Sequence, residues 1–160
     1  MTDFLQIVSK KLHERNLFLV TAESCTGGWL AKQITDLAGS SSIFDRGFVT
    51  YSNDSKREML GVQKNTIEGF GAVSEEVVKA MVEGALSNSK ADISVAISGV
   101  AGPDGGTEEK PVGMVCFAWM MRNKTARTKT AYFNGDRDAV RRQAVDYALE
   151  GIIDEVDEKY

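Results

Sequence analysis

Histidine is nearly absent from this chain: His13 stands alone among 160 residues. One histidine leaves a single chance at a histidine-based triad and little material for a nitrogen-rich metal site. Cysteine is almost as scarce. Cys25 and Cys116 are far apart and form no CxxC pair, so neither a disulfide framework nor zinc is expected, and both read as reduced thiols of a cytoplasmic protein. No apolar run approaches the roughly 18 residues that span a bilayer. The first residues, Met1-Thr2-Asp3-Phe4, lack the basic region and apolar core of a secretory leader. Positive charge is not in excess either: 19 Lys and Arg against 23 Asp and Glu give a net charge of −4. That balance argues against nucleic acid and against a membrane surface as partners, because both demand a basic face.

What remains is the composition of an ordinary globular protein. At 42% hydrophobic and 26% charged, the chain is neither a disordered tail nor a coiled coil, and its length suits one domain over residues 1–160. Glycine and polar clusters divide it into about nine elements. Residues 4–14 carry Phe4, Leu5, Val8 and Leu12 on one helical face. Residues 17–22 form a short apolar strand, 29–37 a helix, 43–51 a strand rich in β-formers, and 53–60 a short helix with Asn53 as its cap. Ser74 caps a helix running to about residue 86, with Glu75 and Glu76 in its first turn. The run 93–97 is apolar on both faces, as a central strand is. Residues 112–121 and 128–133 follow as an antiparallel hairpin, and Asp136 opens a last helix to about residue 155. Alternation early and a hairpin late predict one α/β domain with helices on both faces of a mixed sheet.

In such sheets ligands collect beyond the carboxyl ends of the parallel strands. The turns 23–28 and 51–56 and the loop 98–106 fall there. In the first, Thr21-Ala22-Glu23-Ser24-Cys25-Thr26-Gly27-Gly28, a strand gives way to a helix. Free amides at a helix start favour an anion or a developing oxyanion, and Ser24 stands where a nucleophile would. The same string also suits a tight turn whose hydroxyls only cap a helix. Cys25 is the rival nucleophile, but thiol catalysis wants a histidine and His13 lies in the preceding helix.

In the second, Tyr51-Ser52-Asn53-Asp54-Ser55-Lys56, a serine nucleophile without histidine would find its base in Lys56. The helix start lowers a lysine's affinity for its proton, and burial would carry it well below the ordinary ~10.4. Tyr51 is placed to relay the proton. A solvated surface lysine is the alternative. The third segment holds Gly99, Gly102, Gly105 and Gly106 within nine residues. It lets a ligand approach the backbone closely, yet matches neither GxxxxGK[ST] nor GxGxxG, and a flexible turn explains it equally. Finally, Arg137 and Arg141 lie four residues apart on one face of the last helix, where an anion would relieve their repulsion and where local pairing, such as Arg142 with Asp138, is the alternative.

The strings TAESCTGG (21–28), GSSSIFDRGFVTYSNDSK (39–56), GAVSEEVV (71–78), SGVAGPDGGTEEKPVG (98–113) and NGDRDAVRRQA (134–144) resemble the nicotinamide-nucleotide amidohydrolases, or NMN deamidases, the family of the CinA C-terminal domain. The likeness runs from about residue 4 to 155. It implies a three-layer α/β/α domain with a mixed sheet of the anticodon-binding-domain-like type. It further implies hydrolysis of the carboxamide of nicotinamide mononucleotide to nicotinate mononucleotide and ammonia, without metal or other cofactor, by a homodimer. Carried over by motif, Ser24 is the nucleophile and Lys56 its base, with Tyr51 nearby. Thr26, Gly27, Gly28, Ser98, Gly99, Ala101, Gly102, Thr107, Arg137 and Arg141 are expected around the substrate, with Gly102, Thr107 and Arg141 at its phosphate or ribose. Two other readings stand beside this one: a non-enzymatic nucleotide-binding regulator linked to competence or DNA damage, and an amidase for a different small amide.

Overall fold

In a computed structural model, which describes residues 2–160, the chain runs α1 (Phe4–Glu14), β1 (Leu19–Glu23), α2 (Trp29–Thr35), a 3-10 turn (Ser40–Ser42), β2 (Phe44–Val49), α3 (Asn53–Leu60), α4 (Lys64–Phe70), α5 (Glu75–Ser87), β3 (Ile93–Gly99), β4 (Met114–Met121), β5 (Arg127–Tyr132) and α6 (Arg137–Asp157). The five strands lie in the order β2-β1-β3-β4-β5. β1 is parallel to both neighbours, while β3–β4 and β4–β5 are antiparallel, so the sheet is mixed as the alternation predicts.

Side chains alternate across the strands and divide the core in two. Leu19, Ile93, Val95, Ile97, Val115, Phe117 and Trp119 face α1, α2 and α6. Val20, Ala22, Ala96, Cys116 and Ala118 face α3, α4 and α5. The result is three layers, helices on both sides of the sheet. The first face carries the bulk, and Trp119 donates its indole N–H to the Ala148 carbonyl of α6 at 3.0 Å. Gly151 makes room for it, since a Cβ there would overlap the indole ring. The second face is lined with small residues.

Three details depart from expectation. Asn53 does not cap α3. Ser52 does, because its backbone is extended and its Oγ accepts the Ser55 amide at 3.1 Å, whereas Asn53 is already helical. α4 was absent from the sequence pattern, because only Ile67 of its seven residues is buried. The strands are also shifted by one to two residues at several ends. β1 extends to Glu23 and β3 to Gly99, which brings both chains directly into the loops that follow.

Candidate active site

The parallel strands β1, β2 and β3 end at one rim of the sheet, and the three predicted segments leave from it. Pairing persists past the strands: Ser24 donates its amide to the Ile97 carbonyl at 2.9 Å, and Thr50 donates its amide to the Glu23 carbonyl at 2.8 Å. Ser24 is thereby fixed at the head of the β1–α2 turn, and Lys56 rises from the first turn of α3 to meet it.

Lys56 Nζ lies 3.0 Å from Ser24 Oγ. It also donates to the carbonyls of Thr50 at 2.9 Å and Tyr51 at 3.3 Å. The side chain is 1% exposed, and burial pushes its pKa below the ordinary lysine value, opposed in lesser part by the nearby Cys25. A neutral amine has two N–H groups and one lone pair. With the two carbonyls taking the N–H groups, the lone pair is left toward Ser24 Oγ–H, the arrangement a general base needs. Cys25 is buried, and burial foremost, with the Glu23 charge adding, pushes its thiol up to about 12, away from the thiolate that a cysteine nucleophile needs. His13 is remote, with Nδ1 3.5 Å from Ser42 Oγ beside the 3-10 turn.

Ser24 and Lys56 open into a pocket of about 320 Å³. Tyr51, Ser98, Gly99, Ala101, Gly102 and Arg137 line it, together with Asn53, Val73 and Asp104, which were not among the residues expected around the substrate. The Tyr51 ring is exposed, and its hydroxyl accepts from Arg137 Nη2 at 3.0 Å while Arg137 Nη1 donates to the Gly102 carbonyl at 2.8 Å. Arg137 thus clasps the two lips of the pocket and forms its boundary with an adjoining cavity of about 670 Å³. Ser98 spends its hydroxyl proton on the Ala72 carbonyl at 2.8 Å.

The other expected contacts lie elsewhere. Thr26, Gly27 and Gly28 line a separate groove with Trp29 and Arg141, and Arg141 also borders the adjoining cavity beside Arg137. Arg141 donates from Nε to the Cys25 carbonyl at 3.0 Å and from Nη2 to the Thr26 carbonyl at 3.1 Å. Thr107 is exposed, its Oγ1 accepting the Lys110 amide at 3.0 Å in a local turn, and it lines neither space.

The α2 amides are not a free anion site. Glu23, 1% exposed, accepts from the amides of Leu30 at 2.9 Å and Ala31 at 3.1 Å, so its carboxylate already answers the helix start. The Gly27 amide is likewise spent, on the Ser24 carbonyl at 3.0 Å. Among the described residues the amides of Cys25, Thr26 and Gly28 find no carbonyl partner, so they are candidate donors to a developing oxyanion. An acid closing a strand, seven residues before a helix amide, is the sequence signal for Glu23.

The CinA C-terminal domain family matches residues 1–156. The chain is 57% identical over 143 residues to the nicotinamide-nucleotide amidohydrolase PncC of Escherichia coli strain K12, covering 89% of this chain and 87% of that one. Two solved structures superpose closely. One is the competence damage-inducible protein A of Klebsiella pneumoniae, with TM-score 0.94, 39% identity and coverage of 99% and 98%. The other is a competence/damage inducible protein of Agrobacterium tumefaciens, with TM-score 0.90, 41% identity and coverage of 98% of each chain.

Proposed function

The chain belongs to the CinA C-terminal domain family, and on that premise we propose that it is an amidohydrolase converting nicotinamide mononucleotide to nicotinate mononucleotide and ammonia, in the recycling of pyridine nucleotides. The observation that carries the chemistry is the buried 3.0 Å approach of Lys56 Nζ to Ser24 Oγ, at the floor of a pocket of a mononucleotide's scale. The substrate rests on the kinship with an enzyme named for that activity.

In the proposed reaction Ser24 Oγ attacks the carboxamide carbon as its proton passes to neutral Lys56. The tetrahedral oxyanion forms beside the Cys25 and Thr26 amides. Lys56 then returns the proton to the amide nitrogen, the C–N bond breaks, and ammonia leaves an ester on Ser24. Water attacks that ester, giving its proton to Lys56. The acid departs as Ser24 recovers a proton. The net change is amide plus water to acid plus ammonia. Tyr51 packs beside the ring, and Arg137, at the pocket's outer lip, meets the phosphate. The pyridinium charge of the bound substrate adds to the forces that keep Lys56 neutral.

The experiment is ammonia release from nicotinamide mononucleotide, nicotinamide and a simple aliphatic amide, measured side by side. Turnover of the nucleotide alone is expected. Turnover of the simple amide in preference would make the chain a general amidase. Turnover of none, with tight nucleotide binding, would make it a binding protein.

A further inference from the structure

Arg141 does not line the Ser24–Lys56 pocket itself; it borders the adjoining cavity beside Arg137 and the groove along Thr26–Trp29, and it grips the nucleophile's turn at two successive carbonyls. Its guanidinium also lies 5.5 Å from the Trp29 ring centroid, and a Cβ on Gly27 would come within 3.4 Å of its Nη2, so the group is seated closely. We propose that Arg141 is a positioning residue for the amidase reaction, holding the Cys25–Thr26 peptide so that the Thr26 N–H is presented to the oxyanion. The inference rests on the serine amidase reading of the site.

A trans peptide is planar, and its C=O and N–H point in opposite directions. The Cys25 carbonyl and the Thr26 N–H belong to the same plane. Arg141 Nε holds the Cys25 carbonyl, so the Thr26 N–H must point the opposite way, away from the guanidinium, from a peptide whose Cys25 borders the Ser24–Lys56 pocket. That N–H has no carbonyl partner among the described residues. The next plane is fixed as well: the Thr26 carbonyl accepts from both Arg141 Nη2 and the Trp29 amide, while its Gly27 N–H closes onto the Ser24 carbonyl. A planar fork matches two adjacent carbonyls at a set spacing. An ammonium, a point charge on a flexible stem, does not. As a phosphate anchor, Arg141 would instead have to give up these contacts or work through its remaining donors.

Arg141→Met and Arg141→Lys test this by two readouts. The first is steady-state ammonia release from nicotinamide mononucleotide. The second is the rate at which a fluorophosphonate modifies Ser24, followed by intact mass. There Ser24 Oγ displaces fluoride through an oxyanionic centre, whatever the natural substrate is. Removing the support of one oxyanion donor should lower kcat on the order of 10²-fold in Arg141→Met with KM held within about threefold, and slow labelling in parallel. Arg141→Lys, which keeps the charge and the stem, should also lose kcat. A raised KM at wild-type kcat would overturn the proposal in favour of a phosphate anchor, and so would unchanged labelling. Should thermal unfolding show Arg141→Met to be poorly folded, Arg141→Lys carries the test, and wild-type kcat in that variant refutes the role. If the wild-type protein releases no ammonia from the nucleotide, the substrate reading fails alone. The labelling arm then still decides for or against Arg141.

Discussion

Replacing Lys56 separates a base from a charge. Arginine keeps the positive charge but cannot deprotonate in the working range, and methionine keeps most of the stem without nitrogen. Loss of a positioned general base costs on the order of 10²–10⁴ in rate, or roughly 3 to 5 kcal/mol of barrier. The site allows no substitute, since Nζ is the amine that reaches Ser24 Oγ and His13 sits beside Ser42 instead. Arginine must also fit a slot that is 1% exposed, at an overpacking cost of about 1–3 kcal/mol. Methionine strands the Thr50 and Tyr51 carbonyls, each a loss of about 1–3 kcal/mol, against which stands the relief of no longer burying an amine. Ammonia release over pH 6 to 10 reads the outcome. Wild-type activity should rise with pH through an apparent pKa below that of free lysine, the direction burial sets. Both variants should be nearly inactive. The same depression shapes stability: between the folded and unfolded pKa values the unfolded chain holds the extra proton, so the Lys56 contribution makes stability rise with pH across that interval. In Lys56→Met that slope should vanish. An arginine variant keeping more than about a tenth of the rate, a loss under ~1.4 kcal/mol, would refute the base.

Arg137→Ala should raise KM for nicotinamide mononucleotide more than it lowers kcat, because Arg137 stands at the outer lip between Tyr51 and Gly102; equal turnover of the phosphate-free riboside by the wild-type protein would deny it that role. Gly151→Ala should lower the melting temperature by several degrees, as a Cβ overlapping Trp119 costs about 1–3 kcal/mol; an unchanged melting curve would show that α6 shifts freely. EDTA should leave the rate intact, since one histidine and two separated cysteines form no ordinary catalytic zinc set; loss restored by a divalent ion would contradict this.

The sequence made the layers legible because their signals are strong. The apolar runs 17–22 and 93–97 read as strands, the second of them central, and Ser74 and Asp136 announce the helices they cap. α4 was illegible for the opposite reason, one buried side chain and an internal glycine in seven residues. At the site, the convergence of three loops followed from parallel-strand topology alone. What decides Lys56 did not: the Thr50 and Tyr51 carbonyls that enclose its amine are backbone groups of a turn, and no residue type encodes them. Nothing in the string distinguishes this lysine from a solvated one; the motif resemblance did that. Arg141 shows the limit most plainly. Its spacing from Arg137 reads as an anion site, while its guanidinium is committed to the carbonyls of Cys25 and Thr26, 116 and 115 residues away in sequence.

Ser24 is the proposed nucleophile, and ammonia release from nicotinamide mononucleotide by Ser24→Ala, with Cys25→Ala beside it, decides whether it is. Ser24 is 8% exposed and small, so its replacement should leave the fold and melting temperature close to wild type. The account predicts a loss of several orders of magnitude in kcat for Ser24→Ala, as removal of a covalent nucleophile brings, and retained activity for Cys25→Ala. A Ser24→Ala protein working within about tenfold of the wild-type rate would contradict it, as would a Cys25→Ala protein that is folded and inactive.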